Sequence, residues 1–226
     1  MGNCFEIVVP AATKNINLLI KLILPRLRLY FPENPIIVLT SINNFPEDIE
    51  VSGVVFMDED TVIDGLTLEK VLALLEFRIG SGDRAGWYFQ QFLKLGWAFR
   101  STFKHYLVWD ADTIPLRKID FFDECDKVYF TPKDEYHVPY FTTLEKIFDG
   151  AVKKKTPYSF IAEHMMIDCQ LMKEMIARIT PEPLFWERII DCISTSDLAG
   201  SGFSEFETFG NYVEPVPFMA FFARTL

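Results

Sequence analysis

Short apolar runs separated by helix-length stretches constrain this chain more than any other feature. Phe5–Pro10 (FEIVVP), Pro35–Thr40 (PIIVLT), Val54–Met57 (VVFM) and Tyr106–Trp109 (YLVW) read as buried strands. Between them, Asn15–Leu24 and Leu66–Arg78 have helical patterning, a Gly-rich turn spans Gly80–Gly86, and Trp87–Arg100 reads as a deeply buried helix. Pro25 is expected to end or kink the first helix. Lys127–Thr131 and the run EHMMID from Glu163 add two more strands. Strands that alternate with helices predict an α/β domain built on a mainly parallel sheet. At 226 residues, with half of them hydrophobic and no repeat, low-complexity tract or linker, the chain is expected to form one domain over residues 1–226. His137–Pro157 is poor in strand signals and carries Lys153, Lys154 and Lys155, so a helix-bearing excursion that serves as a lid or acceptor loop is expected there.

Charge narrows the partners. The formal net charge of -10 excludes the clustered cations that nucleic acid demands. It leaves room for an anionic substrate only if a divalent cation reverses the local sign. Cys4, Cys125, Cys169 and Cys192 form no CxxC pair, which argues against zinc and for reduced, mostly buried thiols in a cytoplasmic protein. No signal peptide is expected, and Ile16–Leu24, interrupted by Lys21, is too short and charged to span a bilayer. Pro25–Phe31, with two arginines among apolar residues, is a candidate for peripheral membrane contact.

The chemistry concentrates in HYLVWDADTIP (His105–Pro115), where an apolar strand runs straight into Asp110, Ala111 and Asp112. Ligands of open α/β sheets gather at the carboxyl ends of strands. Two carboxylates there repel each other unless a cation neutralises them, and oxygen donors suit Mg²⁺ or Mn²⁺ shared with substrate phosphates. The competing structural interpretation is a strand-end turn in which both aspartates cap backbone groups. On the preceding helix Gln90 and Lys94 share a face, with Lys94 a candidate phosphate donor and the glutamines candidate sugar or base ligands. Arg84 in the Gly-rich turn is a second candidate phosphate donor. Glu205 and Glu207 follow a Gly-Ser-Gly turn. Ser204 as N-cap with Glu207 completing a capping box is the structural account, and a general base for an acceptor hydroxyl is the catalytic one.

These segments resemble the GT-A superfamily of glycosyltransferases, and more narrowly small bacterial enzymes that decorate lipopolysaccharide or capsule. The resemblance covers most of the chain. It rests on the early strands, GWYFQQFLKLGWA (Gly86–Ala98), VWDADT (Val108–Thr113), FIAEHMMID (Phe160–Asp168) and GFSEFETFGNYV (Gly202–Val213). It implies a GT-A (Rossmann-like) fold with a nucleotide-binding part over about 1–115 and an acceptor-binding part over about 116–226. It also implies a nucleotide-sugar donor, with UDP the family default, a Mn²⁺ or Mg²⁺ ion on Asp110 and Asp112, and a glycan or glycolipid acceptor. Pro10, Ala11 and Thr13 would meet the nucleotide, and Asp58 and Asp60 its base or ribose. His164, beside Glu163, would meet the acceptor, with Glu205 or Glu207 as base. Many superfamily members add a late metal ligand, often His, whereas the histidines here are His105, His137 and His164.

Rival functions have weaker sequence support. A DxD phosphatase carries its motif near the N-terminus, whereas 109 residues precede Asp110 and Ile114 stands where Thr or Val is usual. A nucleotidyltransferase has a Gly- and Arg-rich loop after its first strand, unlike PAATKN. A non-catalytic nucleotide-sugar-binding module would show no turnover.

Overall fold

The apolar runs pair in parallel, as buried strands with helical connections must. The computed structural model describes residues 4–46, 52–180, 184–213 and 222–223. β1 (Phe5–Pro10), β2 (Ile36–Thr40), β3 (Val54–Asp58), β4 (His105–Trp109) and β6 (His164–Asp168) form a five-stranded sheet in the order β3-β2-β1-β4-β6. β1 pairs in parallel with both β2 and β4, and β2 with β3. β6 is antiparallel to β4, with Trp109 opposite His164. β5 (Tyr129–Phe130) pairs in parallel with β7 (Phe222–Ala223) outside this sheet. The strand expected over Lys127–Thr131 is thus reduced to two residues.

Side chains alternate across the sheet with period two. Ile7, Val9, Val38, Leu107 and Trp109 pack on one face beneath Leu19, Ile23, Leu24 and Leu27. Val8, Leu39, Tyr106, Val108 and Ile167 pack on the other beneath most of the remaining helices. The covering helical run on the first face comprises a 3₁₀ turn (Thr13–Asn15), α1 (Ile16–Leu18), a π segment (Leu19–Ile23) and α2 (Leu24–Tyr30). Pro25 therefore does not end the helix. It sits in the first turn of α2, directly after the π segment, whose wider turn already shifts the hydrogen-bond register, so the missing N–H breaks nothing further.

On the opposite face lie α3 (Leu68–Ile79) and α4 (Ala85–Gly96), the latter continuing as a 3₁₀ turn over Trp97–Phe99. Thr67 caps the start of α3, and Gly80 closes its end at φ +69°, the left-handed region that suits glycine. The excursion after β5 contains α5 (Val138–Ile147). Asp168 ends β6 and caps α6 (Cys169–Ile179), accepting from the amides of Gln170 and Leu171 at 2.9 and 3.0 Å. α7 (Phe185–Cys192), α8 (Thr195–Leu198) and α9 (Glu205–Val213) complete the layer. Cys169 and Cys192 are buried, whereas Cys4 and Cys125 are exposed, so the expectation of mostly buried thiols holds for half of them; all four are free. Among the described residues no helix is long and apolar enough to cross a membrane.

Candidate active site

The order of the sheet sets where a ligand can enter. From β1 the chain proceeds outward through β2 and β3, then returns to place β4 on the other side of β1. A crevice opens beyond the carboxyl ends of two strands at such a switch point. Here it is a cavity of about 290 Å³, with Pro10 from the end of β1 on one side and Asp110, Ala111 and Asp112 after β4 on the other. Trp87, Gln90, Gln91 and Lys94 line it from α4, at the three- and four-residue spacings of one helical face.

The alternation that places Tyr106 and Val108 toward α4 places Asp110 there too. The turn after β4 is closed without the aspartate side chains. The amide of Asp110 donates to Glu163 O at 2.9 Å, and that of Thr113 to Asp110 O at 3.1 Å. The Trp109 indole donates to Thr113 O at 2.8 Å. Asp110 Oδ1 instead accepts from Lys94 Nζ at 2.8 Å, and the same ammonium donates to Glu205 Oε1 at 2.7 Å. Capping of backbone groups, the structural interpretation of the motif, does not describe Asp110.

Lys94 is 8% exposed, and its backbone is anchored by the Tyr106 hydroxyl, which donates to Lys94 O at 2.7 Å. Burial alone would depress the ammonium, but the facing Glu205 and Asp110 carboxylates overcome it and hold Lys94 above its ordinary range. Burial pushes the Asp110 carboxyl up; Lys94 opposes the shift, and repulsion from Glu205 and Asp112 adds to it. The charged groups lining the cavity are Asp110, Asp112, Glu205 and Lys94, so the site carries a formal net charge of minus two. Among the described residues no three Asp, Glu, His or Cys groups cluster into a metal cage. Lys94 occupies Glu205 Oε1 and Asp110 Oδ1, which leaves Asp110 Oδ2, Glu205 Oε2 and the exposed Asp112 carboxylate; of these, the Asp110 and Asp112 oxygens come from one turn. That set fits a Mg²⁺ or Mn²⁺ ion arriving with phosphate oxygens, which needs only one or two protein carboxylates.

α9 presents its two glutamates to different surroundings. Ser204 Oγ accepts from the amide of Glu207 at 3.2 Å, and Gln91 Oε1 accepts from that of Glu205 at 3.1 Å, so the helix start is capped from within and from α4. Glu205 faces the cavity. Glu207, 1% exposed, does not return to Ser204 to complete a capping box, nor does it line the cavity. Its carboxylate accepts from Lys154 Nζ (3.0 Å), Ser159 Oγ (2.6 Å), Phe160 N (3.1 Å) and Asn211 Nδ2 (2.7 Å), pinning residues 154–160 against α9. Lys154 thus belongs to a buried ion pair, whereas Lys153 and Lys155 on either side of it are exposed.

Other expected contacts lie elsewhere. Arg84 donates to Gly200 O at 2.8 Å and Ser201 Oγ at 3.0 Å, and it lies over the Trp87 ring; it fastens the loop before α9 and does not line the cavity. Ala11 is buried on the other face of the sheet. Thr13 is exposed and accepts from Asn44 Nδ2 at 3.1 Å. Asp58 and Asp60 organise the turn after β3, Asp58 accepting from the amide of Asp60 and Asp60 from that of Leu68. His164 shares the face of Trp109, on which it stacks at 5.1 Å, and it is buried there with Nδ1 lacking a hydrogen-bond partner. Burial lowers its pKa to about 4, so it is a neutral core group at pH 7 and stands outside the cavity.

Asn15, Tyr140, Ile161, Ala162 and Phe206 line the cavity without having been singled out in the sequence. Tyr140 comes from the excursion suspected of an acceptor role, and Phe206 neighbours Glu205. Asn15, at the start of the first helical run, had only its position after β1 to mark it. Residues 214–221 and 224–226, where a late metal ligand would fall, lie outside the described residues.

No protein-family model matches the chain, and a search of curated proteins finds no significant relative.

Proposed function

We propose that the chain is a metal-dependent glycosyltransferase of the GT-A type that moves a sugar from a nucleotide-diphosphate donor, UDP favoured, to a hydroxyl of a glycan or glycolipid in bacterial cell-surface glycan synthesis. The observation that carries this reading is the pair Asp110 and Asp112 at the switch point of the sheet, with Lys94 wedged behind the first. A nucleotide diphosphate is strongly anionic and would be repelled by a site of net charge minus two. A divalent cation cancels that charge, and when bound it supplies Lewis-acid stabilisation of the departing diphosphate. Asp112 and the free oxygen of Asp110 would hold it.

The chain's own groups suit the rest of the task. Trp87 offers an aromatic face, and Gln90 and Asn15 offer amides for sugar hydroxyls or a base. Tyr140 and Glu205 bound the side where an acceptor enters. Lys94 holds Glu205 Oε1, which leaves Oε2 to accept the hydrogen bond, and then the proton, of an acceptor hydroxyl. Glu207, already saturated by four donors, has no part in this step. We place the enzyme in the cytoplasm, where its free thiols would stay reduced.

A thermal-shift panel of nucleotide diphosphates with and without Mn²⁺ tests the reading. At a hundredfold excess over Kd a ligand adds about 2.7 kcal/mol of stability, or roughly 5–11 °C in Tm for a chain of this size. That shift should require metal and disappear in Asp112→Ala. Equal shifts with and without metal would refute the proposal, as would phosphate release from simple monoesters without a nucleotide.

A further inference from the structure

We propose that the outer face of α1–α2, together with the loop after Asp112, docks on an anionic lipid surface. The chain carries 32 acidic residues against 22 basic ones, yet residues 7–32 contain Lys14, Lys21, Arg26 and Arg28 and no acid. The loop 113–119 (TIPLRKI) likewise contains Arg117 and Lys118 and no acid. The two segments meet where the Tyr30 hydroxyl donates to Leu116 O at 2.7 Å.

The inner row of the helical run, Leu19, Ile23, Leu24 and Leu27, is buried against the sheet. The outer row therefore faces solvent, and it presents Lys21, Leu22, Arg26 and Leu29. Leu22 is 49% and Leu29 66% exposed, and in the adjoining loop Ile114 is 38% and Leu116 78% exposed. Exposed leucines interleaved with lysine and arginine are the composition of a helix that lies in a membrane interface. The basic side chains select anionic headgroups, and the leucines insert beneath them. Arg28 is excluded from this set, because its guanidinium is held by the carbonyls of Gly53, Phe31 and Pro32. Glu33, Asp112 and Asp120 flank the patch, so the docking face is bounded by acids that a negative surface would repel. Ile114 and Leu116 follow Asp112 closely in the chain, so docking brings the rim of the cavity to the lipid interface.

Vesicle binding requires neither nucleotide nor metal, so this proposal fails or survives apart from the sugar-transfer reading. The full chain is sedimented with phosphatidylcholine vesicles that either contain or lack phosphatidylglycerol, at low and at physiological salt. Binding is expected to the anionic vesicles alone and to weaken with salt. Each basic side chain near such a surface strengthens partitioning roughly five-fold, so R26E/R117E should weaken it at least ~30-fold. L29S/L116S should weaken binding at low salt as well. Arg188→Glu, an exposed control on α7 across the sheet, should bind as the unmodified chain does. All of these positions are exposed, and an unchanged Tm confirms that each variant is folded. Equal binding to neutral vesicles, no binding to anionic ones, or full binding by either double variant overturns the proposal.

Discussion

Replacing Lys94 by Met keeps the length of the side chain and removes the charge that lies between two carboxylates. Glu205 bears most of the consequence, since its side chain is 7% exposed and loses its 2.7 Å partner. Asp110, 34% exposed, keeps access to water, so its share is discounted. Removing one partner of a buried ion pair costs about 3–5 kcal/mol, mostly as the penalty of a buried charge left alone. For a chain of this size that lowers Tm by roughly 6–20 °C, a large part of a typical total stability of about 5–15 kcal/mol. Urea denaturation at neutral pH measures it. Acidification supplies the sign. The Asp110 carboxyl, already pushed up by burial, loses the Lys94 charge that opposes that shift, so its folded pKa stands further above the unfolded one and stability is regained as pH falls through it. The deficit of Lys94→Met should therefore shrink between pH 8 and pH 5. Adding Glu205→Gln should recover at least half of it, because an amide does not demand a counter-ion. A Tm within about 2 °C of the unmodified chain at pH 8, or a deficit that grows on acidification, would refute the assignment of Lys94 as the buried counter-ion of the site.

Asp112→Ala, at an exposed position, should leave the metal-free Tm within about 2 °C while abolishing the Mn²⁺-dependent shift with a nucleotide diphosphate, as read by differential scanning fluorimetry. Glu207→Gln strands the buried Lys154 and should cost about 3 kcal/mol by urea denaturation, yet leave nucleotide affinity unchanged by calorimetry. His164, lowered by burial from 6.5 to about 4, should show a flat imidazole NMR signal from pH 8 to pH 5.5. A depressed histidine stabilises the fold above its unfolded pKa and loses that contribution as pH falls, so about 3 kcal/mol should disappear between pH 6.5 and pH 4. Gly210→Ala would push a methyl into the Phe160 ring and should cost about 1–3 kcal/mol, measured by thermal denaturation.

The sheet was legible because its evidence is local. A run such as YLVW is apolar at every position, and only a strand covered on both sides uses such a run well. Pro25 misled because its effect depends on the turn before it, and a π segment leaves no periodic mark in so short a stretch. The cavity lining was legible at Asp110, Asp112, Gln90 and Lys94, whose shared surface follows from strand and helix periods. It was illegible where distance in the chain intervened. Nothing near Arg84 announces that Gly200 and Ser201 will take its donors, and nothing near Glu207 announces Lys154 and Ser159. His164 shows the remaining limit. Its strand was recognised, but which face it would occupy depended on the register with β4, and the pairing of His164 with Trp109 sends it away from the cavity.

Lys94 also explains why a site with three carboxylates would call for only one divalent ion. Without the lysine, Asp110, Asp112 and Glu205 would repel one another across a small cavity, and one dication could not neutralise them. With it, Glu205 is compensated from inside the protein, while Asp110 is shared between the ammonium and the cavity. Burial still pushes the Asp110 carboxyl up despite Lys94, so the internal cation under-compensates the pair at the rim. The residual negative charge faces outward at Asp112, where a metal nucleotide would enter. Lys94 is then a counter-ion that sets the charge of the site. It follows that Lys94→Arg, which keeps the charge but alters the geometry, should weaken metal–nucleotide binding far less than Lys94→Met does, and a comparison of the two Kd values by calorimetry at a temperature where both variants are folded decides the point.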